Sequence, residues 1–158
     1  MRSSIKLLAL GAVFAIAAAT SPITRAADKD QVIKDRQSLM KQQGGDLGAI
    51  KAFLDGTGDA AKATSAATDL TQTMKKIPDV FPPGTEGPNP EGKWAPKPEV
   101  WSDSKGFLAA RDTAAEKAEA LLVAVKGGDK TKIQEAFNDA GKNGCGGCHG
   151  KFREEIKK

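Results

Sequence analysis

The sequence predicts an all-α protein folded as an antiparallel four-helix bundle, and three observations carry that expectation. Apolar residues recur at helical spacing, often every seven positions, in four separate stretches. Glycine and proline separate those stretches, with seven of the eight prolines gathered between residues 78 and 98. No stretch alternates apolar and polar residues with a period of two, and no internal repeat is present.

The chain opens on Arg2 and Lys6, then an alanine-rich apolar run from about Leu7 to Ala19, then the small residues Thr24 and Ala26. This pattern predicts a cleavable Sec-type signal peptide over residues 1–26 and a single mature domain over 27–158. The run is shorter than the ~20 apolar residues a membrane span needs, so no membrane anchor or membrane partner is expected. Removing the leader leaves 158 − 26 = 132 residues, enough to fold around a cofactor, and removing Arg2, Lys6 and Arg25 brings the formal charge from +4 to 4 − 3 = +1. Such a balance offers no electrostatic case for nucleic acid or anionic lipid.

Asp28 or Asp30 is placed to cap a first helix whose apolar positions Ile33, Met40, Leu47 and Leu54 recur every seven residues, flanked by Val32, Leu39, Ile50 and Phe53. Gly44 and Gly45 are expected to loosen this helix, and Gly56-Thr57-Gly58 to end it. Asp59 caps a second, alanine-rich helix with Ala63, Ala66, Ala67, Leu70, Met74 and Ile77 on one face, stopping before Pro78. Residues 78–98 then form a long crossover in which no regular element is expected; it either covers part of a site or passes by as a connection. Pro98 and Glu99 suit the first turn of a third helix, with Val100, Phe107, Ala114 and Leu121 seven apart and Arg111, Ala118 and Val125 on the next row. Gly127-Gly128 ends it. Asp129 caps the fourth helix, where Ile133, Phe137, Ala140, Cys145, Cys148, Phe152 and Ile156 fall near one face.

The chemistry concentrates at Cys145-Gly146-Gly147-Cys148-His149. C-x-x-C-H is the attachment sequence of a c-type haem: two thiols about one turn apart form thioethers with the vinyl groups, and the adjacent imidazole becomes the proximal iron ligand. Small Gly146 and Gly147 suit a close backbone approach to the macrocycle. The chain has one histidine, and it stands at that position. Competing readings are weaker. A redox dithiol of thioredoxin type would follow a strand, and no strand pattern precedes Cys145. Zinc needs about four ligands, and two Cys with one His fall short. One haem c per chain is therefore expected on Cys145 and Cys148, with His149 on the iron. Covalent haem attachment after export points to the bacterial periplasm.

With these residues in place the chain resembles the cytochrome c-prime family, the class II c-type cytochromes. The matching pieces are Arg36-Gln37-x-x-Met40, Pro83-Gly84-Thr85-Glu86-Gly87, Lys97-Pro98-Glu99-Val100-Trp101, and Cys145-x-x-Cys148-His149 with Phe152-Arg153. The resemblance spans essentially the whole mature chain. It implies that Arg36 and Gln37 lie beside the haem propionates, that Met40 occupies the distal position opposite His149, and that Arg153 sits near the proximal face. Arg36 also suits that role by its chemistry, since a guanidinium pairs with a carboxylate as a fork. Where the family often carries an acidic residue before its Lys/Arg-Pro-Glu segment, this chain has Trp94-Ala95-Pro96.

The function expected from the resemblance is a five-coordinate haem protein that binds nitric oxide and carbon monoxide, transfers electrons with a redox partner protein, or does both. If Met40 instead ligates iron, the protein is a low-spin electron carrier of the same class. A thiol–disulfide oxidoreductase using Cys145 and Cys148 is the remaining alternative. With its single His assigned to iron, the chain shows no nucleophile–base pair, and no enzymatic activity is expected. A homodimer is expected from the resemblance and from the small side chains of Ala60 to Ala67 on the second helix.

Overall fold

A computed structural model describes residues 29–87 and 92–157. The expected signal peptide and Asp28 lie outside the described residues. The chain forms α1 (Lys29–Leu54), α2 (Ala60–Lys75), a 3-10 turn (Pro78–Val80), β1 (Trp94–Pro96), the short α3 (Glu99–Ser102), α4 (Ser104–Gly127), α5 (Lys130–Asp139), a π-helical segment (Ala140–Cys145), α6 (Gly146–Phe152) and β2 (Arg153–Glu155). Packing runs α1 on α2, α2 on α4, α4 on α5 and the π segment, and α5 back on α1, which closes a four-sided bundle.

Local chemistry fixes the ends of these helices. The Asp59 carboxylate accepts from the Lys62 backbone N–H and starts α2. Asp129 accepts from Thr131 and Lys132 and starts α5. α4 stops at Gly128, whose φ of 75° is the left-handed conformation that glycine adopts without a Cβ penalty. Inside the bundle, Ile50, Leu70, Leu121 and Ile133 are fully buried against the small Ala63, Ala67 and Ala118.

Four expectations are corrected. The third helix is broken at Asp103, whose carboxylate accepts from Gly106 N–H and restarts the helix as α4; Val100 stays buried on the preceding turn. α1 runs unbroken through Gly44 and Gly45, because packing by Leu39, Gln43 and Ile50 on its inner side holds what propensity alone would loosen. The last helix ends at Phe152, so Arg153 and Ile156 leave its face and the tail is extended. That tail and the crossover form the two-stranded antiparallel sheet that the sequence did not announce. Its register pairs Trp94 with Glu155, Ala95 with Glu154 and Pro96 with Arg153. Backbone bonds from Lys97 N–H to Phe152 O and from Ile156 N–H to Lys93 O, both 2.9 Å, tie its ends.

The buried row of α1 also differs from the apolar one. Arg36, Gln43 and Ile50, spaced by seven, are buried together with Ile33 and Leu39, while Met40, Leu47 and Leu54 are half-buried. A helix that buries an arginine and a glutamine at one end must meet something other than a packed apolar core there.

Candidate functional site

At the crossover end the bundle encloses a cavity of about 580 Å³, within the range of cofactor and ligand sites. All seven residues singled out from the sequence line it: Arg36, Gln37 and Met40 from α1, and Cys145, Cys148, His149 and Arg153 from the C-terminal segment. The crossover contributes Phe81 and Trp94-Ala95-Pro96 to the wall, so it covers the site rather than passing by.

The cysteines reach the cavity through a local departure from α-helical geometry. Gly146 N–H donates to Gly141 O, a five-residue step that marks the π segment. A Cβ on Gly146 would stand 3.0 Å from that same oxygen, so the tight turn selects glycine at this position. The Lys117–Asp139 ion pair, 2.7 Å, joins α4 to the residue before the segment, and the Asp139 carboxylate is held below its usual range by Lys117 and by Asn143.

Cys145 and Cys148 are half-buried and not joined in a disulfide. Burial pushes both thiols up, and for Cys148 the neighbouring Cys145 adds to the shift while Lys151 opposes it. Reactive dithiols need the reverse, a depressed pKa. His149 is lowered to about 4, chiefly by burial and then by the positive Arg153. Its imidazole is therefore neutral at ordinary pH, the form that ligates a metal. Among the described residues there is no cluster of three His, Cys, Asp or Glu side chains, so the zinc reading lacks its ligands.

Arg36 is both wall and tie. Its Nε donates to Val80 O at 2.9 Å and its Nη2 to Thr85 Oγ1 at 2.9 Å, while the guanidinium lies 4.2 Å from the Phe81 ring centroid. Thr85 Oγ1 donates onward to Pro82 O, and Trp101 Nε1 donates to the Phe81 and Pro82 carbonyls. The sequence Pro83-Gly84-Thr85 is thus folded back onto α1 by one buried cation. Burial lowers the Arg36 pKa to about 10, with Glu86 opposing the shift, and it stays charged. Arg153 adopts an extended backbone and places its guanidinium 4.2 Å over the Trp94 ring instead of one helical turn beyond His149.

The polar lining is one-sided. Arg36, Lys41, Lys93, Arg111 and Arg153 contribute positive charge, and no aspartate or glutamate is among the described lining residues. Arg111 Nε is buried with no hydrogen-bond partner. A roomy apolar cavity with two thiols, a neutral imidazole and an excess of cations fits a haem, whose two propionates carry the complementary charge.

Sequence reasoning missed Gln43, Met74 and Arg111. Gln43 lies seven residues after Arg36 on the buried row, and Arg111 is a charge set within the apolar stripe of Phe107 and Ala114. An arginine set on an inward-facing, otherwise apolar helix row is the available signal, and it marks Arg111 as it does Arg36. Met74, expected as packing, is buried and also lines the cavity, with its sulfur accepting from Gln43 Nε2 at 3.9 Å.

Comparison with known proteins agrees with this geometry. A family model described as Cytochrome C' matches residues 31–153. A cytochrome c' from Rubrivivax gelatinosus is 36% identical over 126 residues, covering 78% of this chain and 94% of the relative. A cytochrome c-556 from Agrobacterium tumefaciens strain II Chrys is 29% identical, covering 77% and 95%. The crystal structure of the Rubrivivax protein superposes with a TM-score of 0.68 at 34% identity, covering 80% of this chain and 97% of that one. The nitric oxide complex of a point mutant of cytochrome c prime from Alcaligenes xylosoxidans gives 0.70 at 28% identity, covering 84% and 98%.

Proposed function

The chain belongs to the cytochrome c' family of c-type haem proteins, and from that membership we propose that it carries one haem c on Cys145 and Cys148, with His149 as proximal ligand, and binds nitric oxide and carbon monoxide in the bacterial periplasm. The observation that carries this reading is the convergence of Cys145, Cys148 and His149 on one cavity whose cationic lining suits two propionates. When bound, the haem would supply a redox-active iron able to take up a small gas. The chain's own residues hold, neutralise and shield the haem. Phe81, Phe107 and Phe152 form a run of edge-on aromatic contacts at 5.1 and 5.5 Å and make that end apolar. Gln37 and Arg36 face the cavity from α1, where they are available to the propionates.

Met40 lines the cavity from α1 and, in this reading, shields iron in the resting protein without ligating it. Met74 Sδ is engaged by Gln43, which leaves Met40 as the thioether available to the iron. Met40 offers no hydrogen-bond donor to a bound ligand, and nitric oxide and carbon monoxide depend on such a donor less than dioxygen does. Electron exchange with a redox partner protein follows from the same iron, no enzymatic reaction is assigned, and a homodimer through α1 and α2 completes the proposal. The second reading is the low-spin alternative with Met40 as sixth ligand, because Met40 is the methionine of α1 that lines the cavity.

Mass spectrometry and one optical spectrum test both. Denatured, periplasmically produced protein is expected to weigh as the chain from about residue 27 plus one haem; a bare chain with a Cys145–Cys148 disulfide overturns the proposal. The ferric spectrum is expected to be high-spin, and Met40→Ala to leave it unchanged while speeding carbon monoxide binding. A low-spin ferric spectrum with a sulfur-to-iron charge-transfer band that vanishes in Met40→Ala establishes the electron-carrier reading instead.

A further inference from the structure

We propose that Arg111 sets the reduction potential of this site, by holding an incompletely balanced positive charge on the cavity wall level with Cys148 and beside His149. The inference rests on the haem reading above and adds a tuning residue to it.

Its position follows from two contacts between α4 and the C-terminal segment. A Cβ on Gly144 would lie 3.4 Å from Ala114 Cα, and the Phe107 and Phe152 rings meet at 5.5 Å. The two stretches therefore run antiparallel, with 107 beside 152 and 114 beside 144. Arg111, between those contacts, stands level with Cys148. It lines the cavity together with Phe107 and Ala114, one turn to either side.

Its charge is poorly balanced. Nε is buried without a partner, and among the described residues the carboxylate in contact is Asp112, 3.2 Å from Nη2 and largely solvent-exposed at 60%. The other guanidiniums on the cavity wall are engaged: Arg36 with Val80 and Thr85, Arg153 with the Trp94 face. A counter-ion so exposed offsets only part of the charge of a side chain that is itself 21% exposed, and a cation on the wall of a largely apolar cavity acts on its neighbours. Reduction removes one positive charge from the iron, so a fixed cation close by favours the ferrous form.

The test is spectroelectrochemical titration of the holoprotein, after covalent haem content has been measured for each variant. Arg111→Gln keeps a polar side chain and removes the charge; the ferrous-to-ferric ratio at fixed potential is expected to fall at least tenfold, about 59 mV for a one-electron couple. Arg111→Lys is expected to retain most of the wild-type potential. Asp112→Asn removes the exposed counter-charge and is expected to shift the potential the other way, by less. A purely structural Arg111 would move the Gln and Lys variants together, and that outcome, or an unchanged potential in Arg111→Gln, overturns the inference. If Arg111→Gln does not accumulate, Arg111→Lys and Asp112→Asn decide: loss of potential in the first, or no upward shift in the second, overturns it. Absence of covalent haem from the wild-type protein is a separate result, which removes the haem reading itself.

Discussion

The two ends of the bundle are built on opposite principles. At the end formed by the C-terminus of α1, the start of α2, the end of α4 and the start of α5, Ile50, Leu121 and Ile133 are fully buried against Ala63 and Ala67. At the other end the bundle surrounds a cavity of about 580 Å³, lined by cations and thiols and covered by the crossover and a three-residue β-pair. The first end is filled by side chains; the second is shaped to be filled by something else. Small alanines on α2 allow the close packing that anchors the bundle, so the hollow end does not have to supply it. The hollow end is closed instead by polar ties, with Arg36, Thr85 and Trp101 binding the backbone of residues 80–85.

Substitutions at each end break or sharpen this contrast. Ile133→Ala opens a void in a fully buried position and is expected to destabilise the holoprotein by about 2–5 kcal/mol while leaving its optical spectrum unchanged. Thermal unfolding followed at the haem band and by circular dichroism checks it; a changed resting spectrum would mean the two ends are not separable. Arg36→Met removes the donors to the half-buried Val80 carbonyl and the buried Thr85 hydroxyl, and losing both bonds is expected to cost about 1–3 kcal/mol. Unlike the change at Ile133, this one loosens the crossover, so proteolysis within residues 80–98 should accelerate before global unfolding; cleavage rates unchanged from wild type would show that the tie is not needed.

The smallest effect is expected at Asp46, on α1 between the two ends. Burial, with a contribution from Asp69, pushes its carboxyl pKa up, and its Oδ2 is buried without a partner. A carboxyl whose pKa is raised on folding favours the folded state while protonated and loses that contribution as pH rises through the folded pKa. Asp46→Asn is therefore expected to stabilise the protein at pH 7, by on the order of 0.5 kcal/mol for a side chain only partly buried, and to give no gain near pH 3. Equal melting shifts at both pH values would assign the effect to packing rather than charge.

The sequence by itself determined the order of the main helices and the Cys145, Cys148 and His149 centre of the candidate site, while Arg36, Gln37, Met40 and Arg153 were named through the family resemblance. The helices and that centre depend on local rules: Asp59 and Asp129 as caps, Gly128 as a stop, and thiols held one turn apart by C-x-x-C-H. Only the tertiary structure decided what short segments do when their partners lie far away in the chain. Both strands are only three residues long, Trp94-Ala95-Pro96 ending in proline and Arg153-Glu154-Glu155 wholly charged, so neither announces a strand, and they pair because the bundle brings residue 94 beside residue 155. Arg153 left the helix for the same reason. The buried row of α1 was likewise hidden, since a hydrophobic stripe ranks Met40 above Gln43, whereas a lined cavity accepts polar side chains that a packed core would reject. Periodicity reports which face turns inward, but whether that face meets a filled core or a cavity depends on the volumes of side chains on three other helices, which no local pattern contains.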